Sequence, residues 1–196
     1  MTRGRQTRTL RIIAGMWRGR RFRFPDVAQI RPTPDRVRET LFNWLQHEIA
    51  GANCLDLFAG SGALGLESLS RGAKWVTFVD RDRRVTAHLQ QQIDQLKITN
   101  AEISSDTAQD FLHHTKRRFE IVFIDPPFSR STDELPAIIQ SLAVADRVAK
   151  GGWIYLELPA RAPLPDLPGH WRVHRDARAG QVRSVLLHCQ TDQKSA

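Results

Sequence analysis

The sequence predicts an α/β fold with a seven-stranded, mostly parallel sheet covered by helices on both faces. Three observations predict it. From Asn53 onward, β-prone apolar runs alternate with amphipathic helical stretches. Glycine- or proline-marked turns follow several of the strand ends. A chain of 196 residues also suits a single core of the size such a sheet needs.

Residues 1–9 are polar and read as a frayed end. Residues 10–14 and 20–24 then alternate arginine with apolar side chains around Gly15 and Gly19, which predicts a basic β-hairpin. This arm (residues 1–30) is set apart from the α/β domain of residues 31–196. Thr33-Pro34 opens a helix, with Thr33 as its cap and Val37, Leu41, Trp44 and Leu45 as its apolar face. Strands are predicted at 53–58, 75–80, 101–105, 119–125 and 153–158. Helices are predicted at 62–71, 83–97, about 108–115, and within 132–149. Residues 159–169 hold four prolines and read as a loop. Residues 171–178 and 182–190 pair as a closing hairpin around Ala179-Gly180.

The net charge of +8 and pI near 10.4 favour a polyanionic partner. Two cysteines, Cys54 and Cys189, cannot form a disulfide framework and read as reduced thiols of a cytoplasmic protein. No apolar run is long enough to span a bilayer, so no membrane partner is expected. His113 and His114 are adjacent rather than four apart, so no metal is expected.

Two motifs carry chemistry. Asp56-Leu57-Phe58-Ala59-Gly60-Ser61-Gly62 ends the first parallel strand and opens a helix. Its glycines let the backbone approach a ligand, and ligands of open α/β sheets sit at the carboxyl ends of strands. The third glycine of a dinucleotide fingerprint is missing, which argues against a nicotinamide dehydrogenase. Asp56 would repel a pyrophosphate but suits the cationic end of S-adenosylmethionine (SAM). Asp80 ends the second strand, where an acid can accept ribose hydroxyls, with Arg81 over the adenine. Asp106, Thr107 and Ala108 end the third strand near the adenine edge.

The second motif is Asp125-Pro126-Pro127-Phe128 after four apolar strand residues. The prolines stiffen the loop and remove two backbone donors. The Asp125 carboxylate and Pro126 carbonyl can each accept one N–H of an exocyclic base amine, aiming its lone pair at a SAM methyl. Phe128 can stack on the base. In the arm, residues 1–24 hold eight arginines and no acid, with Trp17, Phe22 and Phe24 interleaved. Arg11, Trp17, Arg18, Arg20 and Arg21, joined by Arg130, form a candidate RNA-binding surface. The base remains open at this point: adenine N6, cytosine N4 and guanine N2 all fit, as does a non-catalytic RNA-binding assembly factor.

Several blocks resemble the RsmD family of small-subunit (16S) rRNA guanine-N2 methyltransferases. They are Arg11 to Arg20, Arg31 to Leu45, Leu55 to Glu67, Asp125 to Phe128, and Ala179-Gly180-Gln181-Val182. The resemblance implies a Rossmann-like SAM-dependent methyltransferase sheet with an antiparallel last strand. It also implies that Thr33 or Arg36 lies near the SAM carboxylate and that Asp125 to Phe128 hold guanine. The implied partner is 16S rRNA in the small ribosomal subunit or a late precursor; the chain itself is expected to be a monomer. Where relatives often carry Asp or Asn before the alanine of the third-strand motif, this chain has Thr107, with Asp106 one place earlier, leaving two candidate adenine readers.

Overall fold

In the computed structural model, residues 8–24 and 33–190 are described, with the backbone alone for residue 8 and residues 129–132. The predicted arm is there as β1 (Arg8–Arg11) and β2 (Arg21–Phe24), paired antiparallel with Leu10 opposite Phe22. Its alternation is strict: in β2 the arginines point out and Phe22 and Phe24 are buried. Those two aromatics belong to the core beside α1 (Asp35–Trp44), α2 (Ala63–Ser70) and α3 (Arg83–Gln95). This corrects part of the expected arm chemistry. Phe22 and Phe24 are spent on packing and are not available to stack on bases, while Trp17 stays half-buried.

The main sheet contains β3 (Asn53–Asp56), β4 (Trp75–Val79), β5 (Ala101–Ser104), β6 (Phe119–Ile124), β7 (Val148–Pro159), β8 (Trp171–Ala179) and β9 (Val182–Cys189). Its order is β5-β4-β3-β6-β7-β9-β8. The strands from β3 to β7 are parallel neighbours, and β9 runs antiparallel to both β7 and β8. The expected reversal of the last strand in the chain is therefore present, and β9 lies inside the sheet with β8 at the edge.

Period-two alternation splits the core into two layers. Cys54, Phe78, Ile121, Phe123 and Tyr155 face α1 to α3. Leu55, Val79, Val122, Ile124 and Leu156 face α4 (Ala108–His114) and α5 (Phe128–Val144). Strands buried on both faces read as continuous apolar runs, as β6 does.

Three local readings change. Thr33 does not cap α1: Pro34 holds the cap position, and no side chain caps the helix there. The Thr33 hydroxyl instead donates to Asp125 Oδ2 at 3.1 Å. α5 begins at Phe128 rather than near residue 132, because Pro127, with φ −51°, already sets the entry of the first turn. β7 starts at Val148, before the Gly151-Gly152 pair, and its pairing with β6 absorbs them as a register shift.

The hairpin turn is fixed to the end of α2. Met16 N donates to Ser70 O, Trp17 N donates to Ser70 Oγ, and Ser70 Oγ donates to Ala14 O. A side chain at Gly15 would place its Cβ 1.8 Å from Ser70 O, so glycine is required where the two backbones meet.

Candidate active site

The chain runs from β3 outward through β4 and β5, then returns to β6 on the other side of β3. That reversal is the topological switch point of an open α/β sheet, where a crevice opens beyond the strand ends. A cavity of about 810 Å³ lies there. It is lined by the carboxyl end of β3 (Asp56, Phe58, Gly60, Ser61), of β4 (Asp80, Arg81) and of β5 (Asp106, Thr107, Ala108), together with Thr33 and Asp125 to Phe128 from β6. Residues from both sequence motifs thus meet in one cavity although about 70 positions separate them. Gly62 is not in the lining. It takes φ +75° at the start of α2, where a Cβ would come within 2.6 Å of Leu89 Cδ2. Arg36 is exposed on α1 and does not reach the cavity. The Arg130 side chain lies outside the described residues.

Asp56 is buried, and its Oδ2 accepts from Gly65 N at 3.1 Å. Burial drives its carboxyl up to about 7, and the neighbouring acids Asp125 and Asp80 push the same way. Asp80 accepts from Gly60 N at 3.0 Å and from Asp82 N at 2.9 Å. The cap of α3 is Asp82, whose side chain accepts from Arg84 N, so Asp80 is not consumed as a helix cap. Arg81 is exposed at the rim. Thr107 caps α4: its Oγ1 accepts from Asp110 N at 3.1 Å and donates to Asp110 Oδ2 at 2.7 Å. Asp106 bonds the Ser104 hydroxyl and is exposed.

Asp125 stands at the carboxyl end of β6, half-buried, and accepts the Thr33 hydroxyl. Burial raises its carboxyl to about 6, and the Thr33 bond holds it below where burial alone would put it. Phe128 sits at the rim, 41% exposed.

Several neighbours of the cavity escape a reading of the sequence alone. Glu157 on β7 is buried, lines the same cavity, and takes the Tyr155 hydroxyl on Oε2 at 3.1 Å. Tyr155 also bonds Ser184 Oγ at 3.0 Å. The available signal was a glutamate at a buried position of an otherwise apolar strand. The cluster of Arg38 and Glu67 behind Thr33 also went unseen, since its partners come from three separate segments. Among the described residues no group of three or more His, Cys, Asp or Glu could hold a metal ion, and no helix is long and apolar enough to cross a membrane.

The family described as Conserved hypothetical protein 95 matches residues 10–188. The "Ribosomal RNA small subunit methyltransferase D" of Escherichia coli (strain K12) is 46% identical over 173 residues, covering 88% of this chain and 86% of the relative. The protein of the same name from Haemophilus influenzae is 40% identical over 177 residues, covering 88% and 90%. The solved structure of yhhF from Escherichia coli superposes with a TM-score of 0.86 at 42% identity, covering 94% of this chain and 99% of that one. The sheet order, the switch-point cavity and these relatives define a methyltransferase of the α/β class. Within that class the chain belongs to the RsmD family, as the blocks Arg31 to Leu45 and Asp125 to Phe128 led us to expect.

Proposed function

We propose that this chain transfers a methyl group from SAM to the exocyclic N2 of a guanine in 16S rRNA, guanine 966. The observation that carries this reading is the shared cavity: the acids ending β3 and β4 and the Asp125 to Phe128 loop line one space at the switch point. The relatives' name, Ribosomal RNA small subunit methyltransferase D, supports the choice of RNA.

The lining fits SAM better than a dinucleotide. Among the described lining residues eight are Asp or Glu and one, Arg81, is a cation. Such a wall repels a pyrophosphate and attracts a sulfonium and an ammonium group. Asp56 and Thr33 face the amino-acid end, and Asp80, at the end of β4 in the cavity lining, is assigned to the ribose hydroxyls. The Thr107 hydroxyl is engaged in capping α4, so Asp106 is assigned to the adenine amine. Bound SAM supplies an electrophilic methyl group, and the nitrogen–carbon bond forms as the sulfur–carbon bond breaks. The chain's own contribution is alignment. Asp125 accepts one amine hydrogen and the Pro126 carbonyl the other, Pro127 keeps that loop stiff, and Phe128 stacks on the base. The amine sheds one proton, which Asp125 holds; a carboxyl near 6 is ionised at neutral pH yet a competent base.

The arginines of the hairpin arm are assigned to rRNA phosphates. Arg18, Arg20 and Arg21 are exposed, and so is Arg11, which also reaches Asp35 at 3.5 Å. The substrate is taken to be the small subunit or a late precursor, met by a monomer. The test is mass spectrometry of rRNA nucleosides from cells with and without this protein, with purified small subunits and labelled SAM as the second arm. N2-methylguanine should appear only when the protein is present. Label in adenine N6 or cytosine N4 instead would overturn the guanine assignment, and no label in RNA would overturn the RNA assignment.

A further inference from the structure

We infer that Glu157 selects the base: its free carboxylate oxygen accepts the ring N1–H of guanine while Asp125 holds the adjoining N2 amine. This inference rests on the guanine-N2 reading above. β6 and β7 are parallel neighbours with Ile124 opposite Leu156, so Asp125 and Glu157 follow side by side at adjacent strand ends. Alternation puts both on the face shared by Phe123 and Tyr155, whose rings meet edge-on at 6.5 Å. Both carboxyls line the cavity.

Glu157 is not placed as a structural acid would be. It is 5% exposed, yet no arginine or lysine pairs with it among the described residues. Oε2 is held by the Tyr155 hydroxyl, itself anchored on Ser184, which fixes the carboxyl plane. Among the described residues Oε1 receives no hydrogen bond, and that oxygen has the cavity beside it. A buried carboxylate retained without a cation costs free energy, and a hydrogen-bond donor on the ligand offsets it. Burial, then the nearby Asp125, raises the Glu157 carboxyl to about 8. A sulfonium next to it and an N1–H upon it both favour the ionised form.

The base chemistry then decides. Guanine presents a hydrogen on the ring nitrogen beside its amine. Adenine and cytosine present a lone pair in that place, which would face the Glu157 lone pair. Discrimination of this type leaves a buried acceptor unpaired with the wrong base, the situation in which sites reject analogues most strongly.

The experiment uses small subunits reconstituted with 16S rRNA carrying either guanine or 2-aminopurine at the methylated position. 2-Aminopurine keeps the amine and lacks the N1–H. The intact protein should methylate guanine at least about 30-fold faster, the scale of one hydrogen bond to a charged group. Glu157→Gln should still bind SAM, though more weakly, lose turnover on guanine at saturating SAM, and bring the guanine to 2-aminopurine ratio below about 3, because its amide can donate to the bare ring nitrogen. Equal rates with the two bases in the intact protein would overturn the inference, and this arm decides by itself should the variant not fold. A folded Glu157→Gln protein with the parent ratio would overturn it equally. Absence of label from guanine altogether is a different failure, that of the guanine-N2 reading.

Discussion

Two groups of buried charge lie within the same protein and are built on opposite plans. Behind the hairpin, Arg38 and Glu67 are both wholly buried and fully partnered. Arg38 donates to Thr33 O, Arg11 O, Asp35 Oδ1 and Glu67 Oε2, at 3.3, 2.9, 2.7 and 3.5 Å. Glu67 accepts from Ile13 N, Ala14 N and Arg71 Nε at 2.8, 3.0 and 2.8 Å. Around the cavity, Asp56, Asp125 and Glu157 are paired with no cation among the described residues, and burial drives all three carboxyls upward. The first group closes on itself and fastens the arm to α1 and α2. The second is left open to the cavity, where the proposed function puts a cation and base N–H groups.

The strongest way to break the first group is Arg38→Ala. It takes one of two arginines from the buried Glu67, which keeps Arg71, and leaves the Thr33 and Arg11 carbonyls without their donor; breaking a buried network of this kind costs about 3 kcal/mol. The midpoint of urea unfolding should fall sharply with an unchanged slope. A midpoint within error of the parent would show that the cluster does not hold the hairpin. The second group should respond differently. Asp125→Ala removes an acid that no cation pairs among the described residues, at the loss of one hydrogen bond from Thr33, so stability should change little, while turnover on small subunits falls by roughly 100-fold or more, as for one preorganised polar group. Near-parental turnover would remove Asp125 from the chemistry.

The arm gives the next effect. Arg18, Arg20 and Arg21 are exposed and Phe22 and Phe24 buried, so their contribution to RNA affinity should be electrostatic. Replacing the three arginines by alanine should lower the slope of log affinity against log salt by about 2, at a little under one per phosphate lost. An unchanged slope would place the RNA contacts elsewhere.

How much of this contrast could be read in the sequence depended on the distance over which a residue acts. The succession of strands and helices and the lining acids Asp56, Asp80 and Asp125 were legible, because each acid closes an apolar strand of period-two or continuous type, whereas the order of the strands in the sheet was not. The start of α5 was placed late because two prolines read as a turn, although Pro127 enters the helix directly. Glu157 could have been suspected: Tyr155 two residues earlier shares its face, which period two dictates. Its anchor Ser184, and the bonds from Ile13 and Ala14 to Glu67, join segments with no local pattern linking them. Arg38 illustrates the limit well. In the sequence it is one arginine among many, at a helix start that holds as many acids as arginines, and tertiary packing alone makes it fully buried.

The open group also sets a pH dependence. Asp56, Asp125 and Glu157 have folded values of about 7, 6 and 8, above those of unfolded carboxyls. Between about pH 5 and pH 8 the native state therefore binds more protons than the unfolded chain, and its stability falls as pH rises. Tm of the free protein should decline modestly across that window. Saturating SAM should reduce the decline, since a cation in the cavity stabilises the ionised carboxyls. A Tm that rises steadily to pH 8 without ligand would mean these acids are ionised in the native state.

The smallest effect joins the two groups, because Thr33 belongs to both. Its carbonyl accepts Arg38 Nε at 3.3 Å and its hydroxyl donates to Asp125 at 3.1 Å. Thr33→Val keeps the shape and the carbonyl and removes the bond that holds the Asp125 carboxyl down. The Asp125 carboxyl should then titrate higher, by less than about one unit. Since the proposed function has the ionised form accept the amine hydrogen, the acid limb of the pH–rate profile should move upward. Turnover should drop near pH 6 and be nearly untouched near pH 8. Equal loss at every pH would mean that Thr33 supports the fold or the ligand rather than the state of Asp125.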